Sequence, residues 1–129
     1  MRAIYELQLH FDASLETFNA ITKILSKLPK KENYIQPIPS TWAYEVVCED
    51  EDPYFDFINE FLNILEGNFE RLIEIGVEKN NISIWLLYEY DSQCNMEFDP
   101  KRLMRLGENG ITLCISCWDS GKEIQNTKA

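Results

Sequence analysis

Four stretches of the chain alternate apolar and polar residues with the period of two that marks a strand, and between them apolar residues recur at helical spacing. In residues 3–11, Ala3, Tyr5, Leu7, Leu9 and Phe11 share one face, while Ile4, Glu6, Gln8 and His10 share the other. In 42–49, Trp42, Tyr44, Val46 and Cys48 oppose Ala43, Glu45, Val47 and Glu49. The most strand-like run opens the segment 82–98, ISIWLLYEYDSQCNMEF. Its even positions, Ile82 to Tyr90, are wholly apolar or aromatic, whereas Ser83, Trp85, Leu87 and Glu89 are apolar only in the middle. That pattern predicts a central strand with one side on a core and the other partly covered. A polar interruption, 91–95, follows, and 111–118 is the last strand.

The helical stretches carry their own start and stop signals. Asp12 or Ser14 can cap a helix whose stripe is Leu15, Phe18, Ile21, Leu25 and Leu28, and Pro29 closes it. Residues 30–41, with Pro37 and Pro39, have no period and predict an irregular connection. Asp52 before Pro53 reads as a cap followed by proline at the first helical position, leading into Tyr54, Phe57, Ile58, Phe61, Leu62 and Leu65. Gly67 ends that helix, and Asn68 can cap a short continuation to Gly76. The same device recurs at Asp99-Pro100, before Leu103, Met104 and Leu106 and the stops Gly107 and Gly110. These elements predict an α+β fold with a four-stranded mixed or antiparallel sheet and helices packed mainly on one face. A ferredoxin-like arrangement is compatible, although the broken helix before the third strand departs from a simple split βαβ pattern.

Composition narrows the function more than the fold. A length of 129 residues predicts a single domain over 1–120 with a polar tail at 121–129, and it suffices to bury a core without staples. The formal charge of −10 repels phosphate backbones and attracts basic partners, which disfavours nucleic acid. No run approaches the roughly 20 apolar residues of a membrane helix, and the alternating N-terminus lacks a signal core, so the expected location is cytoplasmic with Cys48, Cys94, Cys114 and Cys117 reduced.

Candidate chemistry is sparse. Cys114 and Cys117 have the spacing of zinc knuckles and redox pairs, but positions three apart in a strand point to opposite faces. Cys94 sits in the polar interruption, and a nucleophile pair with His10 requires the first strand to neighbour the third. No metal or cofactor is expected. The acidic run Glu49, Asp50, Glu51, Asp52, continued by Asp56, lacks EF-hand spacing and reads as a helix-capping edge or a surface for a basic protein. The aromatics Tyr34, Trp42, Trp85, Tyr90 and Trp118 cannot all enter one core face by alternation, and such rings anchor binding interfaces.

Trp42 near a second strand, Ile82-Ser-Ile-Trp85, the run from Tyr88 to Phe98, Leu103 with Leu106, and Gly110-Ile-Thr-Leu-Cys-Ile-Ser-Cys-Trp118 together resemble the bacterial family called domain of unknown function 4279. The likeness spans the first strand to Trp118 and rests on strands and hydrophobic spacing. The 30–40 loop lacks the glycine-rich, charged character of that family. The resemblance implies a small α+β protein with no established enzyme activity and an association with toxin and immunity loci, and it carries over no catalytic residue. The expected function is therefore a non-enzymatic acidic protein-binding domain, for instance an immunity-type protein that neutralises a basic toxin domain. The alternatives are a small thiol-dependent enzyme centred on Cys94, and a small-molecule or peptide sensor with an aromatic pocket beside Trp85.

Overall fold

Each of the four alternating stretches forms a strand, and together they make one sheet. The computed structural model describes residues 2–31, 37–49 and 52–119. Strands β1 (Arg2–His10), β2 (Thr41–Glu49), β3 (Ile82–Tyr90) and β4 (Thr112–Asp119) are ordered β2-β1-β3-β4. β1 is antiparallel to both of its neighbours, and β3 is parallel to β4, so the sheet is mixed. Adjacent parallel strands require a crossover. Helix α4 (Pro100–Asn109) supplies it. Because β3 and β4 are neighbours, no strand stands between the parallel pair as in a split βαβ unit, and the ferredoxin-like arrangement is not formed.

Register sorts every strand residue onto one of two faces. Tyr44, Leu7, Ile84 and Leu113 lie in one row, and Val46, Tyr5, Leu86 and Ile115 in the next. This face meets the helices α1 (Leu15–Leu25), α2 (Phe57–Leu65) and α3 (Phe69–Glu74). Leu7, Leu9, Phe57, Phe61 and Leu65 are essentially inaccessible to solvent there. Burying one such side chain contributes about 1.5–3 kcal/mol. Tyr5, Phe55, Phe57 and Phe61 pack edge-on or tilted, with ring centroids 4.9–6.5 Å apart, which suits the quadrupoles of aromatic rings.

Four local expectations need correction. Helix α1 is capped by Ser14, whose Oγ accepts from Thr17 N at 3.0 Å, and it ends at Leu25 with Ser26 in the left-handed region, not at Pro29. Leu28 is consequently 80% exposed instead of completing the stripe. Helix α2 starts at Phe57 under an Asp56 cap, not at Asp52-Pro53. Phe55 packs against Tyr5 and Phe61 just before the cap, so the chain stays non-helical until that ring is seated. Asn68 precedes α3, but its side chain donates backward to Ile64 O at 2.9 Å instead of capping forward. Finally, Leu103 and Met104 of α4 face solvent, and only Leu106 is buried. The orientation follows from arginines: Arg102 grips Asp56, and Arg105 donates to Asn59 Oδ1, Asn63 Oδ1 and Glu66 Oε2 along α2.

The Asp99 cap behaves as its sequence predicts, accepting from Arg102 N at 2.8 Å, with Pro100 at the first helical position. Gly110 closes the helix at φ 68°, a conformation open to glycine at little cost. The tail 121–129 and Tyr34 lie outside the described residues.

Candidate functional site

The opposite face of the sheet carries the residues that alternation sets aside from the core. Ile4, Val47, Leu87 and Ser116 form its central row, with Glu6, Glu45, Trp85 and Cys114 on one side of it. Arg2, Glu49, Glu89 and Trp118 form the row on the other side. Among the described residues no helix packs against these rows, and Ile4, Val47, Trp85 and Leu87 have no place in the hydrophobic core. Val47 and Trp118 are 40% and 37% exposed. The Trp85 indole N–H donates to Ser83 Oγ at 2.9 Å, which ties the ring to its own strand.

A carboxyl pair lies at the middle of this face. Glu6 is buried, and its Oε2 accepts from Lys30 Nζ at 2.9 Å while Oε1 accepts from Gln8 Nε2 at 2.9 Å. Lys30 is delivered by its own backbone, whose N–H donates to Ala43 O at 2.7 Å and so holds the segment against β2. Glu45 stands directly across from Glu6. Burial, then the hydrogen bond and like charge of Glu6, raise the Glu45 carboxyl above the ordinary carboxylate range. Neither glutamate stands out in the sequence, because each is simply the polar member of an alternating pair. The signal that could have found them is the register that sets Glu6 opposite Glu45.

The acidic run divides when placed in space. Glu49 makes a loose ion pair with Arg2 at 3.6 Å, and Asp52 accepts from Glu49 N at 2.8 Å. Asp56 is held by Arg102, with Nε to Oδ1 at 2.8 Å and Nη2 to Oδ2 at 2.9 Å. That guanidinium, helped by Asn59, holds the Asp56 carboxyl down to about 2. Arg102 also reaches the Asp99 carboxylate. Asp56 is thus a structural clasp between α2 and α4, not an available surface acid. Asp50 and Glu51 lie outside the described residues.

The aromatic candidates also separate. Trp85 and Trp118 sit on the helix-free face, and Tyr90 ends β3 half-buried. Trp42 does not belong with them. It is fully buried and donates its indole N–H to Thr22 Oγ1 at 3.0 Å, because register sets it beside Leu9 on the helix-covered face. No pocket wall is made by Trp85 in the principal cavities; the aromatic hollow lies instead at the other face, near Tyr5, Tyr54 and Tyr88.

The four cysteines, Cys48, Cys94, Cys114 and Cys117, are free thiols. Cys114 lines up with Trp85 and Cys117 with Tyr88, so they occupy opposite faces, as the spacing predicts. Ser92, at φ 69°, turns the chain after β3, and Cys94 comes to rest beside Cys117. Partial burial and that neighbouring thiol push the Cys94 thiol up, away from the reactive thiolate. His10 lies at the far end of β1, on the order of 20 Å away at about 3.3 Å per strand residue, where its Nδ1 meets Thr41 Oγ1 at 3.2 Å. The Cys94–His10 pair does not form. Among the described residues, no group of three His, Cys, Asp or Glu converges to hold a metal, and no helix is long and apolar enough to cross a membrane.

Fold and surfaces together define a small α+β protein whose mixed four-stranded sheet carries its described helices on one face. Set against protein-family models, curated proteins and solved structures, the chain matches none of them. Its roles are therefore argued from its own groups.

Proposed function

We propose that this is a non-enzymatic binding domain whose helix-free sheet face receives a basic protein partner. The observation that carries the reading is the apolar band of Ile4, Val47, Leu87, Trp85 and Trp118, which crosses four strands under no described helix, with Val47 and Trp118 exposed and the other three half-buried. Rims of carboxylate, from Glu45, Glu49 and Glu89, flank it. Aromatic and aliphatic anchors supply the apolar area of an interface, and the surrounding charge selects and steers the partner. The chain's formal charge of −10 favours a basic one. An immunity-type protein that blocks a basic toxin domain has this chemistry.

The test is to purify a basic partner recovered with the protein and measure its affinity by calorimetry at low and high salt. Charge reversal at Glu45 and Glu89, and Trp118→Ala, should each weaken the complex at least tenfold, or about 1.4 kcal/mol. Leu103→Ser on α4 should leave it unchanged. A complex insensitive to all three face substitutions would remove the sheet face from consideration.

A further inference from the structure

A concave region lies at one end of the sheet, where the ends of β1 and β3 meet the two non-helical leads into α2 and α4. Three hollows adjoin there and share Tyr54. One, of about 230 Å³, is walled by Tyr5, Phe57, Leu86, Tyr88, Met96 and Phe98. Another, of about 200 Å³, reaches toward Cys48, Glu49 and Asp52. The third, of about 520 Å³, opens past Glu97 and Asp99.

Tyr5 is the informative group. It is only 7% exposed, it lines two of the hollows, and its hydroxyl has no hydrogen-bond partner among the described residues. The hydroxyls of Tyr54 and Tyr88, which line the same two hollows, are likewise without one. No described side-chain oxygen is both fully buried and unpartnered, so the Tyr5 hydroxyl opens onto the hollow rather than being sealed beneath it. Three phenols thus border one accessible space.

The charge around that space has one sign left over. Carboxylates of Glu49, Asp52, Glu97 and Asp99 line it, against the guanidiniums of Arg2 and Arg102. Both guanidiniums are engaged, Arg102 by Asp56 and Asp99 and Arg2 by Glu49. Among the described residues that line the space, neither guanidinium is left for an anion. The neutral acids of the lining register the same field: burial first, and then nearby Asp52 for Cys48 and Asp56 for Tyr54, raise their pKa values. Tyr5 is pushed up to about 12, by burial and then by Cys48, Tyr54 and Tyr88.

We propose that this cleft binds a small organic ammonium ion, its alkyl part against Leu86, Met96 and Phe57 and its charged head among the tyrosines and the Glu97 and Asp99 carboxylates. Aromatic faces attract a cation that sheds part of its water, and recognition of ammonium ligands by rings is the established use of that attraction. Phenol oxygens accept N–H donors from a primary amine, whereas a quaternary head has only the ring faces and carboxylates. The cleft and the sheet face adjoin at Arg2 and Glu49, which line one hollow and also form a row of that face, whereas Tyr5, Tyr54, Glu97 and Asp99 belong to the cleft alone.

The experiment titrates the full chain with choline and with n-butylamine, each against its neutral counterpart, 3,3-dimethylbutan-1-ol and n-butanol, by calorimetry and NMR. At least one cation should bind saturably, about tenfold or more tighter than its neutral counterpart. The better cation distinguishes a quaternary head from a primary amine. Tyr54→Ala, at a 68% exposed rim position where folding is not at stake, should weaken that binding at least fivefold, as should Glu97→Gln. Trp118→Ala, on the opposite face, should not. Equal binding of cation and neutral counterpart, absence of saturation for both cations at millimolar concentration, or full binding by Tyr54→Ala each overturns the proposal.

Discussion

The two faces of β1 are built from neighbouring residues of the same strand and meet opposite fates. Ala3, Tyr5, Leu7 and Leu9 are buried under helices, in contact with rings and branched chains supplied from α1, α2 and α3. Ile4, Glu6, Gln8 and His10 face a surface that no described helix covers. Glu6 is nonetheless as buried as its covered-face neighbours, at 3% exposure. Its carboxylate is met by Lys30 and Gln8, with Glu45 and Trp85 directly across from it on the two flanking strands. One face thus stores stability in packing, and the other holds a charged network and apolar groups that a partner can still cover.

That comparison breaks most easily at the packed side. Phe61→Ala, at a fully buried position between Tyr44, Phe55 and Phe57, should cost about 3–5 kcal/mol, read as a fall in the urea midpoint. On the helix-free face, Val47→Ser should stay within about 0.5 kcal/mol. A loss there comparable with Phe61→Ala would mean that the face is packed in solution.

A smaller effect is expected at the clasp between α2 and α4. Asp56→Ala removes both the cap of α2 and the partner of Arg102, and should cost about 1–2 kcal/mol. Asp56→Asn retains a capping side chain, so it should cost under about 1 kcal/mol, the scale of a solvent-screened ion pair. Because the folded Asp56 titrates near about 2, below its ordinary 3.8, the stability it contributes is complete above the ordinary value and is lost as pH falls through the folded one. Asp56→Asn should flatten that acid limb in urea melts.

The smallest effect distinguishes the polar burial of the open face. Glu45 is raised, so between the ordinary carboxylate range and its own value the folded chain holds a proton that the unfolded chain has released. Stability contributed by the protonated pair is therefore present at low pH and falls as pH rises through the Glu45 value. Glu45→Gln should abolish that slope and leave the neutral-pH midpoint slightly higher, in melts from about pH 4 to about pH 8. A slope that persists in the variant would assign it to another group.

How much of this was legible beforehand varies with the range of the interaction. Alternation alone sorts Leu7 from Glu6, and Ile84 from Trp85, because the side-chain period of a strand is fixed by the backbone. The Asp99-Pro100 start of α4 was readable for the same local reason, a cap and a ring with preset φ. The similar Asp52-Pro53 misleads, because the seating of Phe55 on Tyr5 and Phe61 and the pull of Arg102 on Asp56 move the start to Phe57. Trp42 was misplaced among surface anchors because nothing local says that β2 sets it beside Leu9, beneath α1. The tyrosine cleft was equally hidden, since Tyr5, Tyr54 and Tyr88 come from three distant segments.

By itself, then, the sequence determined the periodic part: four strands, their two faces, the amphipathic helices between them and the acidic excess. Each follows from backbone geometry and side-chain chemistry within a few residues. The tertiary structure decided the strand order β2-β1-β3-β4, the parallel β3–β4 pair, the Glu6–Glu45–Lys30 network and the convergence of three tyrosines. Those depend on which distant segments pair, and that choice belongs to the total burial of the core rather than to any stretch of the chain.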